Sequence, residues 1–415
     1  MDGSRGIRIP FDFLFVLTQD LGSPSGLGRY LPLASALAKA GYRVKVIALH
    51  SNYQSLAEKK INLNGVQVHY VAQMHVLKQG SRKFYYGPAR LLLILLTATF
   101  RLAQEALRSP ARWIVVGKPH PMNGIAGLVV RGAGRSRLWV DCDDYEAGSG
   151  NFQNPWQRAI VAFFEKKLPV WADAVSTNTH FMRDNLAGWG VDPQKIEYLP
   201  NGIDEERFAR EITEQELAPL RRELNLEGKQ VIGYIGSLSL TNHSVLLLLD
   251  AFERLLPRVS NSVLLMVGGG EDYDRVIEEA HIRKIADRVI FCGRVAPEKV
   301  SLYYRLAHVS IDPVHDSSAA RGRCPLKMFE SWVCSVPFVS NDVGDRRKLA
   351  GEPEAALLAV PGDPDSLAGV IEQVLLNPEL GNTLRARGCQ RAPQFYWTRL
   401  AAALAARLAP ERVAP

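Results

Sequence analysis

Residues 231–270 read VIGYIGSLSLTNHSVLLLLDAFERLLPRVSNSVLLMVGGG, and this stretch decides the fold class. Two apolar runs, VIGYIG (231–236) and SVLLMV (262–267), flank SVLLLLDAFERLL (244–256), whose apolar residues recur at helical spacing. A strand, a helix and a second strand in this order form a βαβ unit with parallel strands. The series continues with RVIFCG, HVSIDPV and PFVSND. We therefore predict a parallel sheet with helices on both faces.

The N-terminal half shows the same alternation. Its apolar runs include FLFVL (13–17), RVKVIAL (43–49), VQVHYV (66–71), WIVVG (113–117), RLWVDCDD (137–144) and AVSTN (174–178). The turn formers Pro200, Asn201 and Gly202 and the charged stretch 210–229 separate the two series. We predict one α/β domain over residues 1–204 and another over 205–389. A final helix within FYWTRLAAALAARL (395–408) needs an apolar partner, so we expect residues 390–415 to return to the N-terminal domain.

Composition indicates a soluble globular protein. The 415 residues are 47% hydrophobic and 22% charged, values that exclude disorder as the main state. The longest apolar run, residues 91–100, is shorter than the roughly 20 residues of a membrane-spanning helix. The N-terminus lacks a signal-peptide cleavage pattern. Five scattered cysteines without a CxxC disfavour a disulfide framework and a structural zinc site, so we expect a reducing cytoplasm.

Positive charge is concentrated in one segment. Residues 78–137 contain eleven Lys and Arg and a single acid, Glu105, whereas the net charge of the whole chain is only +7. Within this segment, residues 82–108 combine aromatic residues, a leucine-rich helical run and flanking arginines, which is typical of a helix at a membrane surface. We predict that residues 82–108 bind an anionic membrane surface; the alternative is a core helix with solvated ends. Nucleic acid is disfavoured, because aromatic residues do not alternate with basic ones and no nucleic-acid motif occurs.

The segment GSPSGLG (22–28) follows a strand and precedes a helix, where glycines let a backbone loop approach a phosphate or another polar ligand. Its spacing also matches nicotinamide-binding dehydrogenases. However, the next strand ends without an acid for the ribose, and no Tyr is followed four residues later by Lys. We predict that Gly26 and Gly28 face the ligand cleft; the alternative is a plain tight turn.

Three aspartates in DCDDYE (141–146) lie at the end of a strand, and open α/β sheets bind ligands at the carboxyl ends of their strands. Asp143 or Asp144 could orient a sugar hydroxyl or act as a base. The alternatives are a divalent metal held by a DxD pair, or a helix N-cap in a solvated turn. We favour the sugar contact and assign His120, which follows the strand at 113–117, to the same cleft loops.

The segment RGRCPLKMFESW (321–332) predicts a helix that begins at Pro325. Lys327 falls in the first turn, and Arg321 and Arg323 precede it. Cations are unfavourable at the positive end of a helix dipole unless an anion of high charge binds there. A diphosphate would satisfy this requirement.

Glu330 lies three residues after Lys327, on about the same helix face. A carboxylate there can accept two hydrogen bonds from the vicinal diol of a ribose. The alternative is a solvent-exposed Lys–Glu pair. The strand ends VGGGED (267–272) and FCGRV (291–295) permit close backbone approach to a nucleotide, although each signal alone is weak.

Four longer segments carry a resemblance to a known family. They are GLGRYLPLASALAKAGYRVKVIAL (26–49), TNTHFMRDNLAGWGVDPQKIEYLPNGID (177–204), YIGSLSLTNHSVLLLLDAF (234–252) and PLKMFESWVCSVPFVSNDVGD (325–345). Over nearly its whole length the chain resembles the retaining family 4 glycosyltransferases, also called glycosyl transferases group 1. The resemblance implies the GT-B fold, in which two Rossmann-like domains face a cleft. It also implies a nucleotide-sugar bound mainly by the C-terminal domain, an acceptor bound mainly by the N-terminal domain, and no metal.

The resemblance also implies site residues. Asp143, Lys327 and Arg321 are the expected catalytic residues. Donor-binding residues are expected at Gly236, Ser237, Gly269, Arg294, Val295, Arg323, Leu326 and Glu330, and the cleft loops at Gly26, Gly28, His120 and Asp144.

The chain departs from the family pattern at three places. Of the family's paired glutamates, the first position is Gly322 and only Glu330 remains. Ser239, Thr241, Asn242 and His243 occupy the loop that usually carries an Arg and a Lys. The histidine common in the N-terminal domain aligns with Asp143.

We expect a retaining glycosyltransferase that moves a sugar from a nucleotide-sugar to a lipid-linked or other surface glycan acceptor. No cofactor is expected, and the protein would act in the cytoplasm, peripherally on the inner face of the membrane. Two alternatives stay open. One is a non-catalytic nucleotide-sugar-binding protein, which the missing glutamate and loop cations favour, and the other is a GT-B nucleotide-sugar epimerase.

Overall fold

A computed structural model of the chain describes residues 10–79, 82–134, 136–148, 152, 154–241 and 243–409. Its N-terminal strands are β1 (Phe11–Leu17), β2 (Val44–His50), β3 (Lys60–Leu63), β4 (Val66–Gln73), β5 (Val76–Gln79), β6 (Arg82–Tyr85), β7 (Ala111–Gly117), β8 (Arg137–Cys142), β9 (Ala174–Thr177) and β10 (Ile196–Tyr198). Eight of them form a sheet in the order β10-β9-β8-β7-β1-β2-β4-β3, and β5 pairs with β6 as a separate hairpin. Within the sheet only β3 runs antiparallel to its neighbour.

The helices of this domain are α1 (Leu31–Lys39), α2 (Pro88–Arg108), α3 (Pro121–Gly132), α4 (Pro155–Trp171) and α5 (His180–Gly188). Two further helices, α6 (Glu205–Phe208) and α7 (Glu214–Glu223), follow the first crossing and pack into the core of the C-terminal domain. Helices α2, α3 and α4 lie side by side, because α3 contacts both of the others. Within the described ranges, no helix is both long and apolar enough to cross a bilayer.

The C-terminal sheet has the strands β11 (Gln230–Ile235), β12 (Ser262–Val267), β13 (Val289–Gly293), β14 (Val309–Asp312), β15 (Phe338–Asn341) and β16 (Leu357–Ala359). Their order is β13-β12-β11-β14-β15-β16, and all pairs are parallel. The accompanying helices are α8 (Val245–Leu255), α9 (Tyr273–Ile282), α10 (Val300–Leu306), α11 (Ser318–Arg321), α12 (Leu326–Val333), α13 (Arg346–Ala350), α14 (Pro364–Leu376), α15 (Pro378–Arg391) and α16 (Trp397–Leu408).

Each sheet reverses its strand order once. The reversal lies between β1 and β7 in the N-terminal sheet and between β11 and β14 in the C-terminal sheet. In open α/β sheets ligands bind in the crevice at such a switch point, outside the carboxyl ends of the strands. The loops after these four strands are therefore the first place to look for a site.

Helix α16 returns to the N-terminal domain, which confirms the sequence prediction. Trp397, Ala401 and Leu404 belong to the same buried cluster as the strand residue Phe13. The indole nitrogen of Trp113 donates a 3.0 Å hydrogen bond to the carbonyl of Leu408. This packing gives α16 the apolar partner that its sequence requires.

The chain crosses between the domains twice, and the two crossings pair with each other. The Ile203 amide donates to the Phe395 carbonyl at 2.7 Å, and the Trp397 amide donates back to Ile203 at 3.1 Å. The paired segments therefore tie the start of the C-terminal domain to the start of α16.

The predicted strands and long helices are present, with small differences at their ends. Helix α12 begins at Leu326, and Pro325 caps it rather than opening it. The charged stretch 210–229, which sequence reasoning treated only as a solvated connection, contains α7 with a capping box between Thr213 and Glu216. This box satisfies backbone groups at the start of a helix that buries only one leucine, Leu217.

Candidate active site

Glycines bring the ends of β11 and β12 together on the donor side. A Cβ on Gly268 would lie 1.8 Å from the carbonyl oxygen of Gly236, and one on Gly236 would lie 2.6 Å from Cε of Lys327. Gly268 therefore requires glycine, because the clash is with backbone, whereas a side chain at Gly236 would displace Lys327. The Ser237 carbonyl accepts a 2.8 Å hydrogen bond from the Tyr234 hydroxyl, which fixes the loop after β11. These contacts place Lys327 directly against the predicted nucleotide loop.

Lys327 is held by an ion pair at the end of β14. Its Nζ lies 2.8 Å from Oδ1 of Asp312, whose Oδ2 contacts Arg346 at 2.7 Å. Burial alone would raise the pKa of Asp312, but Lys327 and Arg346 hold it well below its usual range. Asp312 is thus an anion whose ion pair holds the ammonium of Lys327 near the switch point between β11 and β14.

Glu330 lies one turn further along α12 and is fixed from the core. Its Oε2 accepts a 2.8 Å hydrogen bond from the Tyr304 hydroxyl. Burial raises the pKa of Glu330, while Tyr304, Arg207 and Lys327 oppose the shift. Arg207, from the linker, donates weakly to the Leu27 carbonyl at 3.5 Å, and its Nε is buried without a hydrogen-bond partner.

The loop after β11 brings a neutral histidine to the same place. Burial, followed by the charges of Lys327 and Arg323, lowers the pKa of His243 to about 3. The imidazole is therefore uncharged at neutral pH beside two cations. Arg321, in contrast, is exposed and forms a bidentate ion pair with Asp316 at 2.6 Å. Its assignment to the diphosphate stays a prediction, since its charge is balanced here by a neighbour.

Two further predicted donor residues line the end of β13. Gly269 lies beside the side chain of Arg294, since a Cβ on the glycine would be 3.6 Å from Cβ of the arginine. The Arg294 side chain is exposed. Val295 packs against the core of its own domain. Arg294 is therefore the one of this pair that is available to a ligand.

The glycine loop of the N-terminal domain faces α12 across the cleft. A Cβ on Gly28 would lie 2.9 Å from Cδ2 of Leu326. Gly26 instead meets its own loop, where a Cβ would be 2.6 Å from backbone atoms of Asp20 and Leu21. Residues 26–30 form a wide π-helical turn that leads into α1. Gly28 therefore meets the opposite domain, whereas Gly26 packs within its own loop, and a ligand contact at either glycine stays a prediction.

A partly buried lysine, Lys118, organises the acidic segment of this domain. Nζ of Lys118 lies 2.6 Å from Glu146, 2.7 Å from Asp144 and 3.5 Å from Asp143. Among the described residues, oxygens of these three carboxylates lie within 4.8 Å of one another, a spacing that could hold a metal ion. Here the ammonium of Lys118 lies among them. The expectation of a metal-free site stays a prediction.

Asp143 is the carboxyl of this cluster whose pKa is raised. Its carboxyl is buried, its Oδ1 has no hydrogen-bond partner, and burial raises its pKa to about 8. Burial alone would lower the pKa of Lys118, but the charges of the three neighbouring acids raise the pKa of this lysine well above its ordinary value. His120 caps α3 and lies 3.5 Å from Glu146. Asp143 therefore offers a protonated carboxyl at neutral pH.

Asp141, the first carboxylate of the same segment, has a structural role. Arg29 clamps it through two 2.7 Å hydrogen bonds, and both side chains are buried. The same guanidinium contacts Asn201 at 3.0 Å and the Leu199 carbonyl at 3.2 Å. Arg29 thus joins the glycine loop to β8 and to the interdomain crossing.

Sequence reasoning missed Lys118, Asp312, Tyr304 and Arg207. Lys118 and Asp312 could have been found, because each directly follows or ends a strand at a switch point. Tyr304 and Arg207 carry no such signal, since they reach the site from a helix and from the linker.

Family models match both halves of the chain. Residues 25–202 match the model described as "Glycosyl transferase 4-like domain", and residues 229–377 match "Glycosyl transferases group 1". The chain belongs to the group 1, family 4 glycosyltransferases of the GT-B fold. The glycine loop, Asp143, Lys327 and Glu330 of this glycosyltransferase all lie within the matched segments.

Curated relatives and a solved structure are similar to this glycosyltransferase. It is 27% identical to D-inositol 3-phosphate glycosyltransferase of Acidothermus cellulolyticus, over 71% of the chain and 67% of the relative. It is 24% identical to GDP-mannose-dependent alpha-(1-6)-phosphatidylinositol monomannoside mannosyltransferase of Mycobacterium tuberculosis, over 66% and 69%. Sucrose-phosphate synthase of Thermosynechococcus elongatus has the same fold, with a TM-score of 0.77, 19% identity and coverage of 96% and 98%.

Proposed function

We propose that this glycosyltransferase transfers a hexose from a nucleotide-sugar to a lipid-linked or other surface glycan acceptor, with retention of configuration and without a metal ion. The observation that carries the proposal is the C-terminal switch point. There α12 holds Lys327 against Gly236 of the loop after β11, and Glu330 follows one turn later on the same helix. A cation and a helix N-terminus suit a diphosphate, and a carboxylate suits a ribose.

The reaction we propose is a front-face displacement. The bond between the anomeric carbon and the diphosphate oxygen breaks, and a bond to the acceptor oxygen forms on the same face. The acceptor proton leaves with the diphosphate. Because the barrier is mainly charge development on the leaving group, Lys327 and the amides at the start of α12 supply the stabilisation. Asp143 contacts the transferred sugar from the opposite domain.

Lipid-linked acceptors are supported by the surface of the N-terminal domain. On α2, Leu92, Leu93, Leu96 and Phe100 are 58% to 65% exposed. The adjacent helices add further exposed apolar side chains, namely Ile125 and Val129 on α3 and Trp156, Ile160 and Phe163 on α4. This three-helix apolar face and the surrounding arginines favour an anionic bilayer at the cytoplasmic side. One relative named above acts on a phosphatidylinositol derivative.

Donor binding is the first test. Melting temperatures are measured with UDP-, GDP-, ADP- and dTDP-sugars, since a ligand at 100 times its dissociation constant stabilises by about 2.7 kcal/mol. The stabilising donor is then incubated with EDTA and the products are followed by NMR. Slow release of free sugar with the α or β configuration of the donor supports a retaining, metal-independent transferase.

Other outcomes contradict the proposal. Tight binding without turnover points to a non-catalytic nucleotide-sugar-binding protein. Conversion of the donor to an epimeric nucleotide-sugar, without loss of the nucleotide, points to an epimerase. If EDTA abolishes the activity and Mg²⁺ restores it, the enzyme requires a metal. The cluster of Asp143, Asp144 and Glu146 would then be the candidate metal site.

A further inference from the structure

Gly322 of the C-terminal domain lies directly against Tyr145 of the N-terminal domain. A Cβ on Gly322 would be 2.8 Å from Cβ of Tyr145 and 3.3 Å from its backbone nitrogen. The backbone of Gly322 has φ −78° and ψ 5°, a conformation open to any residue. Glycine is therefore required at this position for close approach between the domains and not for its own backbone conformation.

The helical turn α11, which ends just before Gly322, also packs closely against a glycine of its own domain. On its other side lies Gly344, whose φ is 62°. A Cβ at Gly344 would be 3.2 Å from both Cα and the carbonyl oxygen of Arg321. The turn is thus held between one close contact in its own domain and another in the opposite domain.

Tyr145 is equally confined. A Cβ on Gly148 would lie 2.3 Å from Cδ1 of its ring. The ring also packs 6.0 Å from the ring of Phe181 and 6.2 Å from that of Trp189, measured between centroids. A side chain at position 322 therefore cannot be accommodated by a small movement of the tyrosine.

We propose that Gly322 and Tyr145 form the stop on which the two domains close, and that a side chain at position 322 holds the cleft open. The contact sets the separation between Asp143, two residues before Tyr145, and Lys327, five residues after Gly322. Gly322 and Tyr145 are positioning residues that act through these two. The proposal rests on the proposed function, and it explains why the first glutamate position of the family is glycine here.

The test is a double-mutant series that is read by turnover and by small-angle scattering. Gly322→Ala should lower kcat by roughly 10- to 100-fold, the cost of a misplacement near 1 Å. Its affinity for the nucleoside diphosphate should be unchanged, because Lys327 and Glu330 lie in one domain. Its radius of gyration with bound nucleotide should exceed that of the wild type. Gly369→Ala is the matched control, since no atom lies within 4 Å of a Cβ built there.

Truncation of Tyr145 distinguishes the contact from a general loss of stability. Because the nearest atom is Cβ of Tyr145, Gly322→Ala should cost much less in a Tyr145→Gly background, where only backbone atoms at 3.3 Å remain, and should keep its full cost in a Tyr145→Ala background. The proposal is overturned if the Gly322→Ala variant has the radius of gyration and the kcat of the wild type. It is also overturned if the substitution lowers kcat equally in the two Tyr145 backgrounds. If the wild type transfers no sugar, the proposed function fails, whereas the scattering data still decide the contact.

Discussion

The Tyr304 hydroxyl donates a 2.8 Å hydrogen bond to Oε2 of Glu330, so helix α10 fixes a carboxylate of helix α12 from the core. Tyr304 is buried and Glu330 is partly buried, and burial raises the pKa values of both side chains. A carboxylate held in this way is pre-organised to accept hydrogen bonds from a ribose diol on its cleft side. Loss of either partner should therefore affect nucleotide binding, but to different degrees.

Glu330→Ala should weaken nucleoside diphosphate binding roughly ten- to a hundredfold, because a hydrogen bond to a charged group contributes about 1.5–3 kcal/mol. Tyr304→Phe should cause a smaller loss, since the carboxylate remains but is less well oriented. Titration calorimetry measures both. Glu278→Ala, an exposed change on α9, is the control. Unchanged affinity of the Glu330 variant would remove this residue from the donor site.

His243 should take up a proton when the donor diphosphate binds. Burial, Lys327 and Arg323 lower the pKa of its imidazole to about 3 in the free protein. A diphosphate beside it would raise that pKa, so binding couples to protonation and the affinity should increase as the pH falls from about 7.5 to about 5.5. Calorimetry in buffers of different ionisation enthalpy reports the uptake. In His243→Gln the affinity should depend on pH only through the titration of the diphosphate itself. If the variant and the wild type show the same pH dependence of affinity, the prediction is wrong.

Lys118 should be essential for the stability of the N-terminal domain. Lys118→Met leaves Asp144 and Glu146 without the ammonium that lies 2.7 Å and 2.6 Å from them. Removal of one partner from a fully buried ion pair costs about 3–5 kcal/mol, and this cluster should lose less because the Asp144 side chain is 33% exposed. The melting temperature should fall strongly at pH 7 and recover in part as the carboxylates are protonated at lower pH. The control variant Lys167→Met, at an exposed position on α4, should have the melting temperature of the wild type both at pH 7 and at the lower pH.

Asp143→Asn should stabilise the protein above neutral pH. Burial raises the pKa of Asp143 to about 8 in the folded state, above the unfolded value of 3.8. Such a group contributes stability that is complete below about pH 4 and is lost as the pH rises through 8. The asparagine cannot ionise, so the difference in melting temperature should widen in its favour across this interval. Asp184→Asn, on the surface of α5, should show no such trend.

The sequence was sufficient to predict the two sheets and α12, because their signals are local. The βαβ pattern of 231–270 and the proline before Leu326 define those elements without reference to the rest of the chain. The hairpin of β5 and β6 was missed, since its four-residue strands contain Lys and Gln and lack alternation. Strand β3 was missed for a similar reason, as it is short and lies at an edge of the sheet.

The site was only partly predictable, because its contacts join distant segments. Arg29 and Asp141 are 112 residues apart, and nothing in the sequence shows that this arginine forms an ion pair with the first of the three aspartates. The contact between Gly322 and Tyr145 depends on how the domains meet. In contrast, Lys327 and Glu330 lie on one helix, where helical spacing alone relates them.

The three-helix apolar face should bind anionic vesicles. Exposed leucines on α2 supply apolar area, and Arg90, Arg101 and Arg108 are exposed on the same helix. Each basic residue near an anionic surface contributes about 1 kcal/mol, so replacement of all three by Glu should weaken binding by at least roughly a hundredfold. Co-sedimentation should require anionic lipid and decrease with salt, because the Debye length falls from about 10 Å at 0.1 M to about 3 Å at 1 M.

The apolar half of this prediction has its own variant and control. Replacement of Leu92, Leu93 and Leu96 by Gln should release the protein from vesicles without lowering its melting temperature, because these side chains are already exposed. The matched control replaces Ile282, Val360 and Leu376, which are 58% to 65% exposed on the C-terminal domain, and should leave binding unchanged. If the wild type does not co-sediment with anionic vesicles at low salt, the acceptor reaches the cleft from solution and a soluble glycan becomes the better candidate.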